Sequence, residues 1–209
     1  MKQVYIDTET GGLDPKVHGL TEVGLVAFDY DPKNPLYCHI IEEQSIRVEF
    51  NPLLSYTPYA LDMQDRDYND NSGAVSESQT CSAIFAFLER HLGHWNTEDD
   101  YRGKIIAQYA EFDYGFIKAL FDRNLAYAEK KLFDVRCSWV CMRHLMRFLC
   151  SIGACDCSGD SLKTILTYYN IPRTDTEKEH SALGDARVSV IAYLHMLQDL
   201  NNFYGGQKK

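Results

Sequence analysis

The stretch Ile6-Asp7-Thr8-Glu9-Thr10-Gly11-Gly12-Leu13 places two acidic residues directly before a pair of glycines. It follows a β-branched and an aromatic residue, which are typical of a buried strand. Side chains at i and i+2 of a strand share a face, so Asp7 and Glu9 point the same way. Two such carboxylates repel one another and lose hydration, and a hard divalent cation is the usual partner that offsets both costs. The two glycines then permit a sharp turn with no Cβ in the path of a ligand.

The composition is that of an ordinary globular chain of 209 residues, 45% hydrophobic and 24% charged. This length suits one domain with a full core, and we predict a single domain over residues 1–200 with a flexible tail over residues 201–209. The net charge of -9 argues against a broad, non-specific DNA binder, because such proteins are normally basic. It leaves room for an enzyme that holds nucleotides through metal ions, since bound ions add positive charge that a side-chain count misses.

The cysteine content and the absence of targeting signals bear on the compartment. Seven cysteines show no regular framework, and the first residues carry no pattern of a signal peptide. We therefore expect the reducing environment of the cytoplasm. No apolar run approaches the length of a membrane span, so no membrane association is expected.

The first half of the chain predicts three strands and a helix. Strands are expected over Thr21–Tyr30 and, as one strand or a broken pair, over His39–Phe50. Short connections would join them to the first strand in an antiparallel meander. Residues 51–76 form a long loop with one helical turn near residues 59–63, and apolar spacing predicts a helix over Glu77–Leu92.

The second half alternates between helical and strand patterns. The predicted elements are a strand at Lys104–Ala107, a helix with its apolar stripe at 112–120, a strand at Leu132–Val135, and helices at Ser138–Leu149, Ser161–Tyr169 and Ser181–Leu200. Three early strands followed by alternating helices and strands indicate an α/β fold with a mixed central sheet and helices on both faces.

Two further acidic residues and a histidine lie at or near the starts of predicted helices. Asp113 begins the helix after a short buried strand, near the strand edge where the sites of α/β proteins gather. Asp185 shares an apolar helix face with Val188 and Ala192, so it points inward. His180 lies five residues earlier and can reach the same place only if the helix starts after it.

These residues together specify a chemistry. Four carboxylates suit two hard divalent cations, Mg²⁺ or Mn²⁺, better than they suit zinc. Two such ions can clamp the attacking and leaving oxygens of a phosphodiester in line. A neutral histidine beside the attacking water can accept its proton. The residue set therefore predicts metal-assisted phosphodiester hydrolysis.

The stretches YIDTETGGLDP, AEFDYGFI and HSALGDA, in this order, resemble the DEDDh-type 3′–5′ exonucleases of the ribonuclease H-like fold. The resemblance implies a central five-stranded sheet with the early strands in a meander. It makes Asp7, Glu9, Asp113 and Asp185 the metal ligands and His180 the general base.

The resemblance also implies contacts with the substrate. Thr10, Gly12 and Leu13 would lie against the terminal nucleotide. One position departs from the family pattern, because Tyr109 stands where the family often has an asparagine, four residues before Asp113.

The predicted function is a metal-dependent 3′–5′ exonuclease that releases nucleoside monophosphates from single-stranded or frayed DNA. Such an enzyme could work with a DNA polymerase or another replication or repair protein. A 3′–5′ exoribonuclease acting on short RNA or RNA tails is an alternative, since the metals would contact phosphate and not sugar. A non-catalytic module that binds a polymerase or nucleic acid is an alternative of another class.

A thiol-rich zinc site is a further alternative. Cys137, Cys141 and His144 share one face of a predicted helix. No C-x-x-C pair is present, so free buried thiols are the favoured interpretation.

Overall fold

The structure of the chain is a computed structural model that describes residues 1–92, 105–124, 139–174 and 180–206. Its strands are β1 (Lys2–Thr10), β2 (Leu20–Asp31), β3 (Asn34–Arg47), β4 (Ile105–Ala107) and β5 (Trp139–Cys141). Its helices are α1 (Pro58–Met63), α2 (Glu77–Leu92), α3 (Ala110–Asn124), α4 (Met142–Ser151), α5 (Leu162–Tyr168) and α6 (Ala182–Gly206).

The five strands form one mixed sheet in the order β3-β2-β1-β4-β5. The first three strands pair antiparallel in chain order, which confirms the predicted meander. Strand β4 then joins the other edge of β1 in parallel, and β5 pairs with β4 in parallel. The predicted α/β fold with a mixed five-stranded sheet is therefore confirmed.

The alternating side chains of β1 supply both faces of the sheet. Val4 and Ile6 belong to a buried cluster with α2 and α3, where Phe87 and Phe116 are prominent. Tyr5 belongs to the cluster on the opposite face, formed with α4, α5 and α6. Because β1 is central and buried on both sides, its C-terminal end is held rigidly between two helical layers.

The predicted start of the helix Ser138–Leu149 was wrong. The predicted helix Ser138–Leu149 begins only at Met142, and Trp139–Cys141 instead forms strand β5. A three-residue apolar segment has no period that separates helix from strand, and its pairing with Ile105–Ala107 decides its conformation. The predicted strand Leu132–Val135 lies outside the described residues.

Two other predicted elements end or begin elsewhere. Strand β3 starts at Asn34 rather than His39, because the turn at residues 32–33 lets pairing with β2 resume at once. Helix α6 continues to Gly206 instead of ending at Leu200, so residues 201–206 are helical rather than a frayed tail. Asn201 donates a hydrogen bond to the Pro32 carbonyl at 2.8 Å, which ties this last part of the helix to the β2–β3 turn.

The remaining helical predictions are confirmed. Helix α2 has the predicted bounds, and α1 forms inside the long loop. Ser161 caps α5, accepting a hydrogen bond from the Thr164 N–H at 3.2 Å. None of the helices in the described ranges combines the length and apolarity that crossing a bilayer requires.

Candidate active site

The C-terminal half of β1 places its two acids on one face. Asp7 and Glu9 follow Tyr5 at two-residue steps, so they point toward the side of the sheet covered by α6. Opposite Asp7 in the register stands Gly24 of β2. A Cβ at Gly24 would lie 2.3 Å from the backbone carbonyl carbon of Ala182, so only glycine allows the start of α6 to rest on the sheet here.

Asp113 approaches from the other face. It lies in the first turn of α3 and is only 4% exposed. Thr8 points to this face and donates a hydrogen bond from Oγ1 to Asp113 Oδ1 at 2.8 Å. Thr8 was not among the predicted site residues. Its alternation with Asp7 and Glu9 was the available signal, because a strand residue between two inward acids must face the opposite layer.

His180 and Asp185 lie close together at the start of α6. Helix α6 begins at Ala182, so His180 precedes it, in a left-handed backbone conformation with φ of 61°. Asp185 lies in the first turn of that helix. The ligand atoms of Glu9, His180 and Asp185 all lie within 4.8 Å of one another. The helix therefore begins after His180, which is the condition under which His180 and Asp185 can reach one place.

Burial disfavours the ionised forms of Asp7, Glu9 and Asp113, and so raises the pKa of each. Burial raises the pKa of Glu9 to about 8, with Asp185 adding to the effect. Burial raises the pKa of Asp113 to about 7, although the Thr8 hydrogen bond opposes the shift. The pKa of Asp7 is raised well above its ordinary value, first by burial and then by the charges of Asp113 and Asp185. A divalent cation among these carboxylates would favour their ionised forms.

One of these acids, Asp185, forms an ion pair with Arg173. Arg173 lies in the segment between α5 and α6, and its Nη2 is 2.6 Å from Asp185 Oδ1. Arg173 and Asp185 are mostly buried, with 24% and 14% of their side chains exposed. No local period marks Arg173, since it lies outside any helix or strand, and it was not predicted. Its position shows that the site accepts a positive charge at Asp185.

The three residues predicted to contact the terminal nucleotide differ in how far they are exposed to solvent. The Thr10 hydroxyl is buried and donates to the Gly12 carbonyl at 2.7 Å, so it shapes the turn after β1. A Cβ at Gly12 would lie 2.3 Å from the His18 ring, which therefore covers that glycine. Leu13 is 84% exposed and is the one side chain of the three open to a ligand.

Tyr109 has its own packing partner. The Arg143 guanidinium lies over the Tyr109 ring at 4.7 Å from its centroid. Arg143 also forms an ion pair with Asp160 at 3.4 Å, and Gln108 donates to the Asp160 carbonyl at 2.9 Å. Tyr109, which departs from the family pattern, thus belongs to a polar and aromatic cluster at the starts of α3, α4 and α5.

The exonuclease family model RNase_T matches residues 4–193, a range that contains every site residue discussed above. The chain belongs to this exonuclease family. The match confirms the exonuclease family inferred from the three acidic stretches.

Curated relatives agree with this assignment. Ribonuclease T of Photorhabdus laumondii is 32% identical over 130 residues, which cover 58% of this chain and 54% of that protein. Ribonuclease T of Buchnera aphidicola is 28% identical over 120 residues, covering 57% and 53%. The chain thus spans about half the length of the curated relatives it matches.

Solved structures show the same fold at low sequence identity. Escherichia coli exonuclease I in complex with a dT13 oligonucleotide has a TM-score of 0.74 at 14% identity, covering 98% of this chain and 42% of that one. The nuclease domain of 3′hExo, a DEDDh family member bound to rAMP, has a TM-score of 0.66 at 14% identity, covering 95% and 92%.

Proposed function

We propose that the chain is a metal-dependent 3′–5′ exonuclease that hydrolyses the terminal phosphodiester of a single-stranded or frayed nucleic acid. The observation that carries this proposal is the cluster of Glu9, Asp185 and His180 at the end of the central strand, beside Asp7, whose charge interacts with those of Asp113 and Asp185. Membership of the exonuclease family supports it. A binding module without catalysis would have no physical reason to keep several mutually repelling acids together.

The donor set fits hard divalent cations. We assign Asp7, Glu9, Asp113 and Asp185 as the ligands of two ions, Mg²⁺ or Mn²⁺, because carboxylate oxygens are the donors that these ions prefer. The raised pKa values of Glu9 and Asp113 indicate a site built for positive charge. When bound, the two ions supply the Lewis-acid stabilisation of the attacking and leaving oxygens.

His180, Thr8 and Leu13 have separate roles beside those of the metal ligands. His180 accepts the proton of the attacking water at a ring nitrogen, within reach of Glu9 and Asp185. Thr8 holds Asp113 in place through its hydrogen bond. Leu13 presents an exposed apolar side chain beside the β1 turn, where it would pack against the terminal nucleotide.

Arg173 acts in this scheme as a substitute cation. Its guanidinium balances the charge of Asp185, and a divalent ion bound at that carboxylate would leave the guanidinium available for a substrate phosphate. We expect Arg173→Gln to tighten Mn²⁺ binding about three- to tenfold, because the ion no longer displaces an ion pair worth about 1 kcal/mol. Titration calorimetry of Mn²⁺ into the protein without nucleic acid measures this.

The matched control is Arg187→Gln. Arg187 lies near the start of the same helix but pairs with Glu43 at 2.7 Å, so the change removes an equal charge without freeing Asp185. Its effect on Mn²⁺ affinity should be clearly smaller. Equal affinities for Arg173→Gln and the unaltered protein would show that Arg173 does not compete for the site.

A second candidate, an exoribonuclease, is favoured by a specific observation. The matching curated relatives are named ribonuclease T, whereas the structural neighbours were solved with a DNA oligonucleotide and with rAMP. We therefore propose that single-stranded RNA 3′ ends are substrates beside DNA. A polymerase or repair partner and a cytoplasmic location stay predictions, as does the single exonuclease domain over residues 1–200.

The test is a gel assay with 5′-labelled single-stranded DNA and RNA of the same sequence, with Mg²⁺, Mn²⁺ or EDTA. We expect a ladder that shortens from the 3′ end with either metal and none with EDTA. The faster polymer identifies the preferred substrate. Intact oligonucleotides under all metal conditions would contradict the nuclease proposal and favour the binding module.

A further inference from the structure

A second group of ligand-type side chains converges outside the candidate active site. Glu111, Cys141 and His144 each offer one ligand atom, and these three atoms lie within 4.8 Å of one another. The His144 Nδ1 and Glu111 Oε1 atoms are 3.5 Å apart. The three residues come from different elements, namely α3, the end of β5 and the start of α4.

The topology explains why they meet. Strands β4 and β5 are parallel neighbours with Ala107 opposite Cys141, and a helix begins shortly after each strand. Glu111 and His144 lie in the first turns of these two helices, so both point toward the same edge of the sheet as the Cys141 thiol. The backbone of the sheet therefore sets the spacing of the three ligands.

The site is open to ions from solution. The side chains of Glu111 and His144 are each 55% exposed. Together with Tyr114 and Trp139, the three ligands line a cavity of about 340 Å³. A cation could enter without rearrangement of the core.

The donors indicate which ion. Thiolate, imidazole and carboxylate are together the ligand types of zinc, whereas four carboxylates suit magnesium. Zinc bonds of 2.0–2.3 Å at tetrahedral angles separate neighbouring ligand atoms by roughly 3.5 Å, which the His144–Glu111 distance already matches. A thiolate and a carboxylate also balance the two charges of the ion.

We propose that Glu111, Cys141 and His144 form a zinc site separate from the nuclease metals, with water as the fourth ligand. This differs from the zinc alternative raised by the sequence, in which Cys137, outside the described residues, stood beside Cys141 and His144. Glu111 takes part because the parallel pairing of β4 and β5 places the starts of α3 and α4 side by side. The proposal is independent of the nuclease function.

The test is Co²⁺ titration of the reduced protein, followed by optical spectroscopy. We expect a thiolate-to-cobalt charge-transfer band and visible d–d bands of tetrahedral strength, both removed by equimolar Zn²⁺. The carboxylates of the nuclease site cannot produce the thiolate band, so the two kinds of site are distinguishable in one protein.

Variants assign the band to these residues. Cys141→Ser should abolish it, whereas Cys155→Ser, at a half-buried cysteine in another cluster, should leave it unchanged. His144→Ala, at an exposed position, should weaken Zn²⁺ binding more than about tenfold without affecting the fold. Absence of the band in the unaltered protein, or its persistence in Cys141→Ser, would overturn the proposal.

Discussion

Asp7→Asn is expected to lower kcat by at least about 10³-fold while making the metal-free protein more stable. A loss of this size corresponds to about 4 kcal/mol of transition-state stabilisation, the scale expected when a metal ion no longer polarises the reacting phosphate. The amide has nearly the same shape as the carboxylate. It removes a charge that the buried site disfavours, so the fold should not suffer.

The stability gain has a definite pH dependence. The folded protein raises the pKa of Asp7, so between the unfolded and folded pKa values it binds more protons than the unfolded chain does. The stability of the metal-free protein therefore falls as pH rises through that window. Glu9, with its pKa moved from 4.5 to about 8, contributes in the same direction. Asp7→Asn removes only the Asp7 contribution.

Melting temperatures in EDTA at pH 5 and pH 8 measure this effect. The variant should exceed the unaltered protein by more at pH 8 than at pH 5, and added Mg²⁺ should stabilise the unaltered protein more than the variant. A variant that is less stable at pH 8 would mean that Asp7 holds the fold together. Full activity in the variant would remove it from the metal ligands.

His180→Asn is expected to lower kcat about 10²- to 10⁴-fold, the usual contribution of a general base. Asparagine is the appropriate replacement because His180 has a φ of 61°, a conformation that asparagine tolerates better than most residues. The variant should bind Mn²⁺ within about threefold of the unaltered protein, because four carboxylates remain.

The affinity measurement separates two roles that the geometry brings close together. His180 lies within 4.8 Å of ligand atoms on both Glu9 and Asp185, near enough to act as a base or as a ligand. A large loss of Mn²⁺ affinity would identify it as a ligand. His39→Asn, at an exposed position on β3, is the control and should leave both quantities unchanged.

Much of the fold follows from local patterns. The spacing of apolar residues predicts helix α2 with its observed bounds, and the two-residue alternation places Asp7 and Glu9 on one face of β1. The turn at residues 32–33 and the capping Ser161 are equally local. These features depend on the period of a strand or helix and on the chemistry of single residues, so the sequence contains them directly.

Other features depend on partners far along the chain. Segment Trp139–Cys141 becomes a strand only because the edge of β4 is available to it. Gly24 has no local reason to be glycine, and its reason is the backbone of Ala182 resting upon it. Arg173 likewise gains its role only beside Asp185.

Residue types and local periods fix the donor set: the number of acids, the presence of a histidine, and the side of its own element on which each points. The tertiary structure, in contrast, sets which of these atoms share a site. It brought Asp113 to Thr8, Arg173 to Asp185, and Glu111 to Cys141. The physical reason is that side-chain direction follows from local backbone geometry, whereas distances of a few ångströms between remote segments depend on how the helices pack on the sheet.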